Sequence, residues 1–351
     1  MKKKILLGMS GGIDSSVSAI LLKNKNYEVV GATMELCGEG SLVNQIDDAK
    51  KVCDKLNIPH HVFECKKEFK EYVIDNFIKC YECGKTPNPC VECNKYLKFG
   101  EFYKKAKELG CEYIATGHYA KVEYSPKYNQ YVLKKSKEEK KDQSYFLYRI
   151  PKEILSKIIL PLEDFRSKEE IRNIARENNL IVAEKKESQE ICFIPDNNYV
   201  DFIKNNSNSK FKTGNIVNSK GEILGKHNGI INYTVGQRKG LGISHKEPLY
   251  VLKINREKNE VVVGTEEELY TNQVIIEDIN YLVTDLENKQ IEVEAKVRYR
   301  AKPAKALLYP LENRKAQFVF HEPQRAITPG QSLVFYIDDV VIGGGVIVNG
   351  E

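Results

Sequence analysis

Apolar and polar positions along the first two hundred residues alternate between two periods. Short apolar runs of strand character stand at 5–9, 28–34, 61–63 and 112–116. Between them, Val17, Ile20, Leu21 and Leu22 recur at helical spacing after Asp14, and further helical stripes cover 44–56, 67–78 and 95–109. Strands alternating with helices predict an α/β fold, a doubly wound parallel sheet with ligands at the C-terminal ends of its strands. Residues 165–180 read as another amphipathic helix, opened by a capping box of Ser167 and Glu170. The pattern changes at the polar run 205–210. Beyond it, 211–272 carries short β patterns at 251–254 and 260–263, and 273–351 carries short strands whose regular spacing suggests a small barrel. The expected division is therefore 1–207, a parallel α/β domain; 208–272, a small β-rich central domain; and 273–351, a C-terminal β-barrel.

The first strand runs into Gly8-Met-Ser-Gly-Gly-Ile-Asp-Ser-Ser16, at the start of a helix. Gly11 and Gly12 allow a tight turn that a side chain would block. The N–H groups of such a loop and the positive end of the helix converge on one point, which suits an anion. No Gly-Lys-Ser/Thr closes the stretch, so it is not a Walker loop, and the third glycine of a dinucleotide fingerprint is missing. Asp14 can serve as a helix cap, as a magnesium ligand, or as both.

Composition narrows the class. A hydrophobic share of 41% and a charged share of 29% are those of an ordinary globular protein. No apolar run approaches a membrane span, and the first residues read as a strand start rather than a signal peptide. The net charge of +5 is small, so a nucleic-acid site must be a local concentration of Lys and Arg. Nine cysteines without a secretory signal point to the reducing cytoplasm, where clustered thiols usually mean metal or catalysis. Cys80, Cys83, Cys90 and Cys93 form two Cys-x-x-Cys pairs, closer together than zinc ribbons usually place theirs. Pro87 and Pro89 predict a stiff, extended, non-helical loop around the second pair. Lys296, Arg298, Arg300 and Lys302 alternate with Val297, Tyr299 and Ala301; as a strand this is a one-sided cationic ladder suited to an RNA backbone. Arg238 and Lys239, between glycines, add candidate phosphate contacts. The run 134–141 reads as an exposed charged loop.

The Gly8–Ser16 loop resembles that of the PP-loop ATP pyrophosphatases. Thr86-Pro-Asn-Pro-Cys-Val-Glu-Cys-Asn94, Thr116-Gly-His-Tyr-Ala120, Lys141-Asp-Gln-Ser-Tyr-Phe-Leu147, Ser188-Gln-Glu-Ile-Cys-Phe-Ile194 and Thr234-Val-Gly-Gln-Arg-Lys-Gly-Leu-Gly242 are all similar to motifs of the bacterial tRNA-specific 2-thiouridylases. So are Pro329-Gly-Gln331 and Gly343-Gly-Gly345. The resemblance spans residues 8 to 346 and implies an adenine-nucleotide α-hydrolase-like first domain. It implies ATP-dependent adenylation of O2 of the wobble uridine in tRNAs for Lys, Glu and Gln, then replacement of that oxygen by sulfur.

Carried over residue by residue, Gly8, Met9, Ser10, Gly11, Gly12, Ile13, Asp14 and Ser15 hold ATP with magnesium, and Met34 and Gly117 flank the adenosine. Cys93 takes the nucleophile position and Cys192 the persulfide position. Asn88, Pro89 and Cys90 approach the target base, while His118, Lys141, Asp142, Gln143, Arg298, Tyr299 and Gln331 contact the tRNA. Many relatives have Asp where this chain has Cys90. Three thiols at Cys90, Cys93 and Cys192 would leave one iron of a [4Fe-4S] cluster open to carry sulfide, and this reading is taken first. The alternative is a relay in which Cys192 carries sulfane sulfur and Cys93 resolves it as a disulfide. A sulfur donor such as a cysteine desulfurase is implied in both. Two other readings stay open: a PP-loop enzyme that amidates with ammonia, and a non-catalytic RNA-binding protein with a zinc knuckle.

Overall fold

The computed structural model describes residues 2–37, 41–185, 191–194, 196–287 and 289–350, leaving aside the side chains of 41–44, 349 and 350. Ser188, Gln189 and Glu190 of the expected cysteine motif lie outside the described residues. The chain divides into two compact units. One comprises Met1–Val73, Cys90–Asn197 and Asp339–Val341; the other comprises Ile74–Pro89, Asn198–Asp338 and Ile342–Glu351.

The first unit is built on strands β1 (Lys4–Gly8), β2 (Glu28–Glu35), β3 (His60–Glu64) and β4 (Tyr113–Ala115), with Ile158–Ile159 as a short edge. They pair in parallel in the order β3-β2-β1-β4-edge. Ile5, Leu6 and Leu7 are fully buried, as a central strand covered on both faces requires. Helix α1 (Ile13–Asn24) packs Val17, Ala19, Ile20 and Leu22 into the same core. Order reverses on either side of β1, so the loops leaving β1 and β4 open a crevice between them. Every strand and helix expected up to residue 116 is present, with ends shifted by a few residues.

Two of those helices are irregular. The stretch expected at 67–78 contains a π-helix at Lys70–Ile74, and that expected at 95–109 contains one at Cys93–Glu101. Pro89 corrects the sequence reading: it opens a one-turn helix, Pro89–Glu92, rather than continuing a loop. Its missing N–H is no loss at a first helical position, where the group has no partner in any case.

The second unit is β-rich, as expected. Gly214–Asn218, Ile223–His227, Tyr250–Asn255 and Glu260–Gly264 make a four-stranded sheet over Ile216, Val251, Val261 and Val263. Six antiparallel strands close a barrel, in the order Tyr270–Tyr281, Lys315–Arg325, Ala304–Leu311, Ile291–Lys296, Ser332–Ile337 and Val340–Gly350, with the last pairing back on the first. The basic ladder is corrected here. Ala295 pairs with Ala304 and the strand ends at Lys296, so 297–303 is the connection of a hairpin. Ala301 N–H bonds Arg298 O at 3.1 Å within that turn. Arg298, Arg300 and Lys302 are nevertheless exposed, while Val297 is buried.

The helix Lys168–Glu177 is capped as its sequence predicts: Ser167 Oγ accepts from Glu170 N–H at 3.3 Å, and donates to Glu170 Oε1 at 3.1 Å. Ser167→Ala should lower stability by about 1 kcal/mol, read as a shift of the urea midpoint of the first unit. A change within a few tenths of a kcal/mol would mean the cap is idle.

Candidate functional site

At the end of β1 the chain turns through Met9, Ser10, Gly11 and Gly12 into α1. Met9 is buried; its N–H bonds Ala32 O at 2.8 Å and its carbonyl accepts from Thr33 Oγ1 at 2.8 Å, which fixes the loop to β2. Gly11 has φ +64, and a Cβ there would meet Gln45 O at 2.5 Å. Gly12 differs: it is extended, and an added Cβ would touch only Ser10 Oγ at 3.3 Å. The fold therefore requires a glycine at 11 but not at 12. Gly12 is the N-cap of α1, and among the described residues no side-chain cap bond is made there. Ser15 and Ser16 turn their hydroxyls back to Gly12 O, at 3.1 and 2.8 Å. The N–H groups at this terminus are thus left to an incoming anion.

Asp14 is not the cap but the second residue of α1. Its Oδ1 accepts from Tyr119 OH and from Lys168 Nζ, each at 2.6 Å. Lys185 Nζ donates to Gly11 O at 3.0 Å and pairs with Asp48 at 2.7 Å. These two lysines on the loop were missed by the sequence reading. One signal existed: Lys168 is the first residue of its helix, where the dipole disfavours a cation unless an acid answers it. Gly117 follows β4, and a Cβ there would meet the Asp14 and Ser15 backbone at 3.0 Å. Met34, half-buried, ends β2 near this crevice. The structure thus places Gly8 to Ser15, Met34 and Gly117 at strand ends of one sheet.

A second group of residues centres on the thiols. Cys93 is buried, Cys90 and Cys192 are exposed, and all nine cysteines are free. Glu92, between Cys90 and Cys93, pairs with buried Arg149 at 2.5 Å. Asn94 Nδ2 bonds Phe146 O at 3.1 Å, and its buried Oδ1 has no partner among the described residues. Phe193 and Ile194 anchor the Cys192 segment, Phe193 against Phe69 at 5.7 Å between ring centres. Burial pushes the Cys192 thiol up to about 12, helped by Cys93 and Cys90, which stand within electrostatic reach. Burial likewise pushes Cys93 up to about 11 and raises Cys90. Cys192 and Cys90 touch solvent yet lie in a recess crowded enough to disfavour the thiolate. Among the described residues, no three His, Cys, Asp or Glu side chains converge closely enough to hold a metal ion. The donor set of Cys90, Cys93 and Cys192 suits iron chemically, although the three thiols do not stand as a ready-made ligand group.

His118 donates or accepts with Thr116 Oγ1 at 2.7 Å and is held neutral, its pKa well below the usual value because of burial and then Lys98. Asp142 is buried, its carboxylate bonded to Ser136 N–H, Ser144 N–H and Ser144 Oγ. Gln143 Oε1 accepts from Tyr119 N–H at 2.9 Å. These polar groups hold the chain together around Tyr119, with Lys141 half-buried beside them.

In the second unit, Gln331 Nε2 donates to Thr86 O at 2.9 Å and Pro87 O at 3.2 Å. Thr86 N–H bonds Pro329 O at 2.8 Å. Gln331 therefore clamps the segment that carries Asn88 and Pro89, a structural task the sequence did not disclose. Arg298 and Tyr299 lie on the hairpin connection of the barrel, with Lys296 Nζ over the Tyr299 ring at 5.6 Å. Cys83 Sγ accepts from Arg256 at 3.3 Å.

Family models match three consecutive stretches: a tRNA methyl transferase HUP domain at residues 3–196, a tRNA methyl transferase PRC-barrel domain at 200–265, and an aminomethyltransferase beta-barrel domain at 271–347. The chain is 48% identical to the tRNA-specific 2-thiouridylase MnmA of Clostridium beijerinckii, over 99% of both chains. It is 50% identical to that of Caldicellulosiruptor saccharolyticus, again over 99% of both. Among solved structures it is similar to the U34-tRNA thiolase NcsA from Methanococcus maripaludis with its [4Fe-4S] cluster. That likeness has 21% identity and a TM-score of 0.38 and covers 58% of this chain and 67% of that one.

Two outcomes test the site. Gly11→Ala should destabilise the first unit by about 1–3 kcal/mol through backbone strain, whereas Gly12→Ala should leave its unfolding unchanged and weaken ATP binding. Equal unfolding midpoints for the two would refute the distinction. For the thiols, iodoacetamide labelling of Cys93 and Cys192, followed by mass spectrometry, should climb steadily from pH 8 to pH 10. At pH 8 the Cys192 thiol would be almost wholly protonated. Levelling off between pH 9 and pH 10 would show ordinary thiols.

Proposed function

The chain belongs to the tRNA-specific 2-thiouridylases, PP-loop sulfurtransferases acting on tRNA, and from that premise we propose that it 2-thiolates the wobble uridine of tRNAs for Lys, Glu and Gln. The observation that carries the reading is the placing of Cys192 within electrostatic reach of Cys93 and Cys90, in the unit that holds the anion loop. ATP lies with its phosphates on the Gly11–Ser15 N–H groups, and Lys168 and Lys185 neutralise charge there. Asp14, already answered by Lys168, is the loop carboxylate that would hold a magnesium ion, which would offset phosphate charge when bound.

The uridine O2 attacks the α-phosphate and pyrophosphate leaves, so a poor leaving group becomes one that departs as AMP. A donor persulfide, such as that of a cysteine desulfurase, passes its outer sulfur to the Cys192 thiol, and the donor is left as a thiol. The Cys192 persulfide then attacks C2 and AMP departs. Cys93 attacks the Cys192 sulfur, a Cys93–Cys192 disulfide forms, and the thiolated base is released. The two thiols thereby supply two electrons, and an external thiol restores them. The relay is taken first because it needs only Cys192 and Cys93, which stand within electrostatic reach of each other. Exposed Arg298 and Arg300, with Arg238 and Lys239, suit the tRNA backbone. No helix among the described residues is long and apolar enough to cross a membrane, and a cytoplasmic setting accords with a thiol-rich chain acting on tRNA.

Cys93→Ser should abolish 2-thiouridine in a tRNA-Glu transcript while pyrophosphate release on adding tRNA persists. Asp14→Asn should lower that release by on the order of 100-fold. Retained thiolation in Cys93→Ser would defeat the relay. So would iron and sulfide in near-equal amounts in anaerobically purified protein, if activity follows their content; ammonia-dependent amidation of the tRNA would refute thiolation altogether.

A further inference from the structure

The segment carrying Cys93 is a π-helix, Cys93–Glu101, closed by Phe102 N–H donating to Leu97 O. In an α-helix, residues i and i+5 stand about 140° apart around the axis. When the hydrogen bond spans five residues instead of four, they turn towards a common face. Lys98 is five residues after Cys93. The wide helix therefore carries its ammonium round to the side of the buried thiol. The next residue, Phe99, packs on the His118 ring at 5.9 Å, so the loop after β4 lies along this helix.

Lys98 is half-buried and, among the described residues, makes no hydrogen bond and no ion pair. An unpaired cation held in such a recess calls for an anion. It acts on Cys90, Cys93 and Cys192, easing each thiol down against burial, and on His118. The other groups that act most strongly on these four, among the described residues, are the thiols themselves and Cys37.

Resting on the thiolation reading, we propose that Lys98 is the positioning cation of sulfur transfer, facing the persulfide anion on Cys192 as it attacks C2 and the Cys93 thiolate as it resolves the adduct. It moves no proton and forms no bond. Its charge holds sulfur anions in a recess that otherwise favours neutral thiols, and the neutral His118 ring leaves that charge undiluted.

The test uses the full chain, ATP, a tRNA-Glu transcript and inorganic polysulfide as sulfur source, with Lys98→Met and Lys98→Arg. At saturating tRNA, Lys98→Met should thiolate on the order of 10- to 100-fold more slowly, with KM for tRNA and pyrophosphate release within about threefold of wild type. Lys98→Arg should recover most of the rate. Iodoacetamide labelling of Cys93 at pH 9 should fall about tenfold in Lys98→Met and recover in Lys98→Arg. If Lys98→Met does not fold, Lys98→Gln carries the same measurements. Wild-type rates in Lys98→Met, a loss confined to KM, or failure of Lys98→Arg to recover either readout would overturn the assignment. A wild-type protein that releases pyrophosphate but makes no thiouridine would instead defeat the thiolation reading, and the labelling arm would still judge Lys98.

Discussion

The Asp14 carboxylate is the knot from which the first unit's chemistry is strung. It sits in the first turn of α1, where the helix dipole favours it, and it accepts from Tyr119 and Lys168. Tyr119 exchanges two hydrogen bonds with Gln143, Gln143 O accepts from Phe146 N–H, and Phe146 O accepts from Asn94, next to Cys93. Arg149, a few residues on, holds Glu92 between the two cysteines. One connected run of polar contacts thus ties the phosphate loop to the sulfur-bearing helix. Tyr119, Asn94 and Arg149 are buried and the other members half-buried, so a link broken at one of those three leaves a buried group unsatisfied, which costs more than the bond itself contributed.

That arrangement explains why so few of the expected contact residues point outward. Asp142 and Gln143 are polar residues in a motif, and a motif invites a ligand. Their oxygens are engaged with Ser136, Ser144 and Tyr119 instead. Gln331 behaves alike in the second unit, where its amide secures the carbonyls of Thr86 and Pro87. Rigid placement of a neighbouring reactive group is itself a functional constraint, since small misplacements lower rates steeply.

The parts legible in sequence were those whose signal is local. Gly8 to Ser15, the capping box at Ser167 and the strand–helix alternation all declare themselves within a window of a dozen residues. What failed to show was long-range or depended on one residue's worth of geometry. Lys168 meets Asp14 across 154 residues. The alternation of 296–302 gives exposed cations correctly but cannot tell a strand from its hairpin connection, which only the Ala295–Ala304 pairing decides. Pro89 could open a helix or forbid one, depending on a single position. An apolar stripe cannot reveal a π-helix, because one wider turn scarcely changes which residues are buried.

The thiols then pose a problem that the same physics resolves. A recess that pushes Cys192 up to about 12 and Cys93 up to about 11 keeps them protonated and slow to oxidise. A persulfide is a stronger acid than the thiol it comes from, so loading sulfur onto Cys192 creates an anion where none stood before. Burial penalises that anion as it did the thiolate, and Lys98 is the charge placed to offset the penalty. Desolvation and the Lys98 cation together make the site quiet when empty and reactive when loaded. The distinction between the two states lies in the sulfur's own charge, and it needs no movement of the protein.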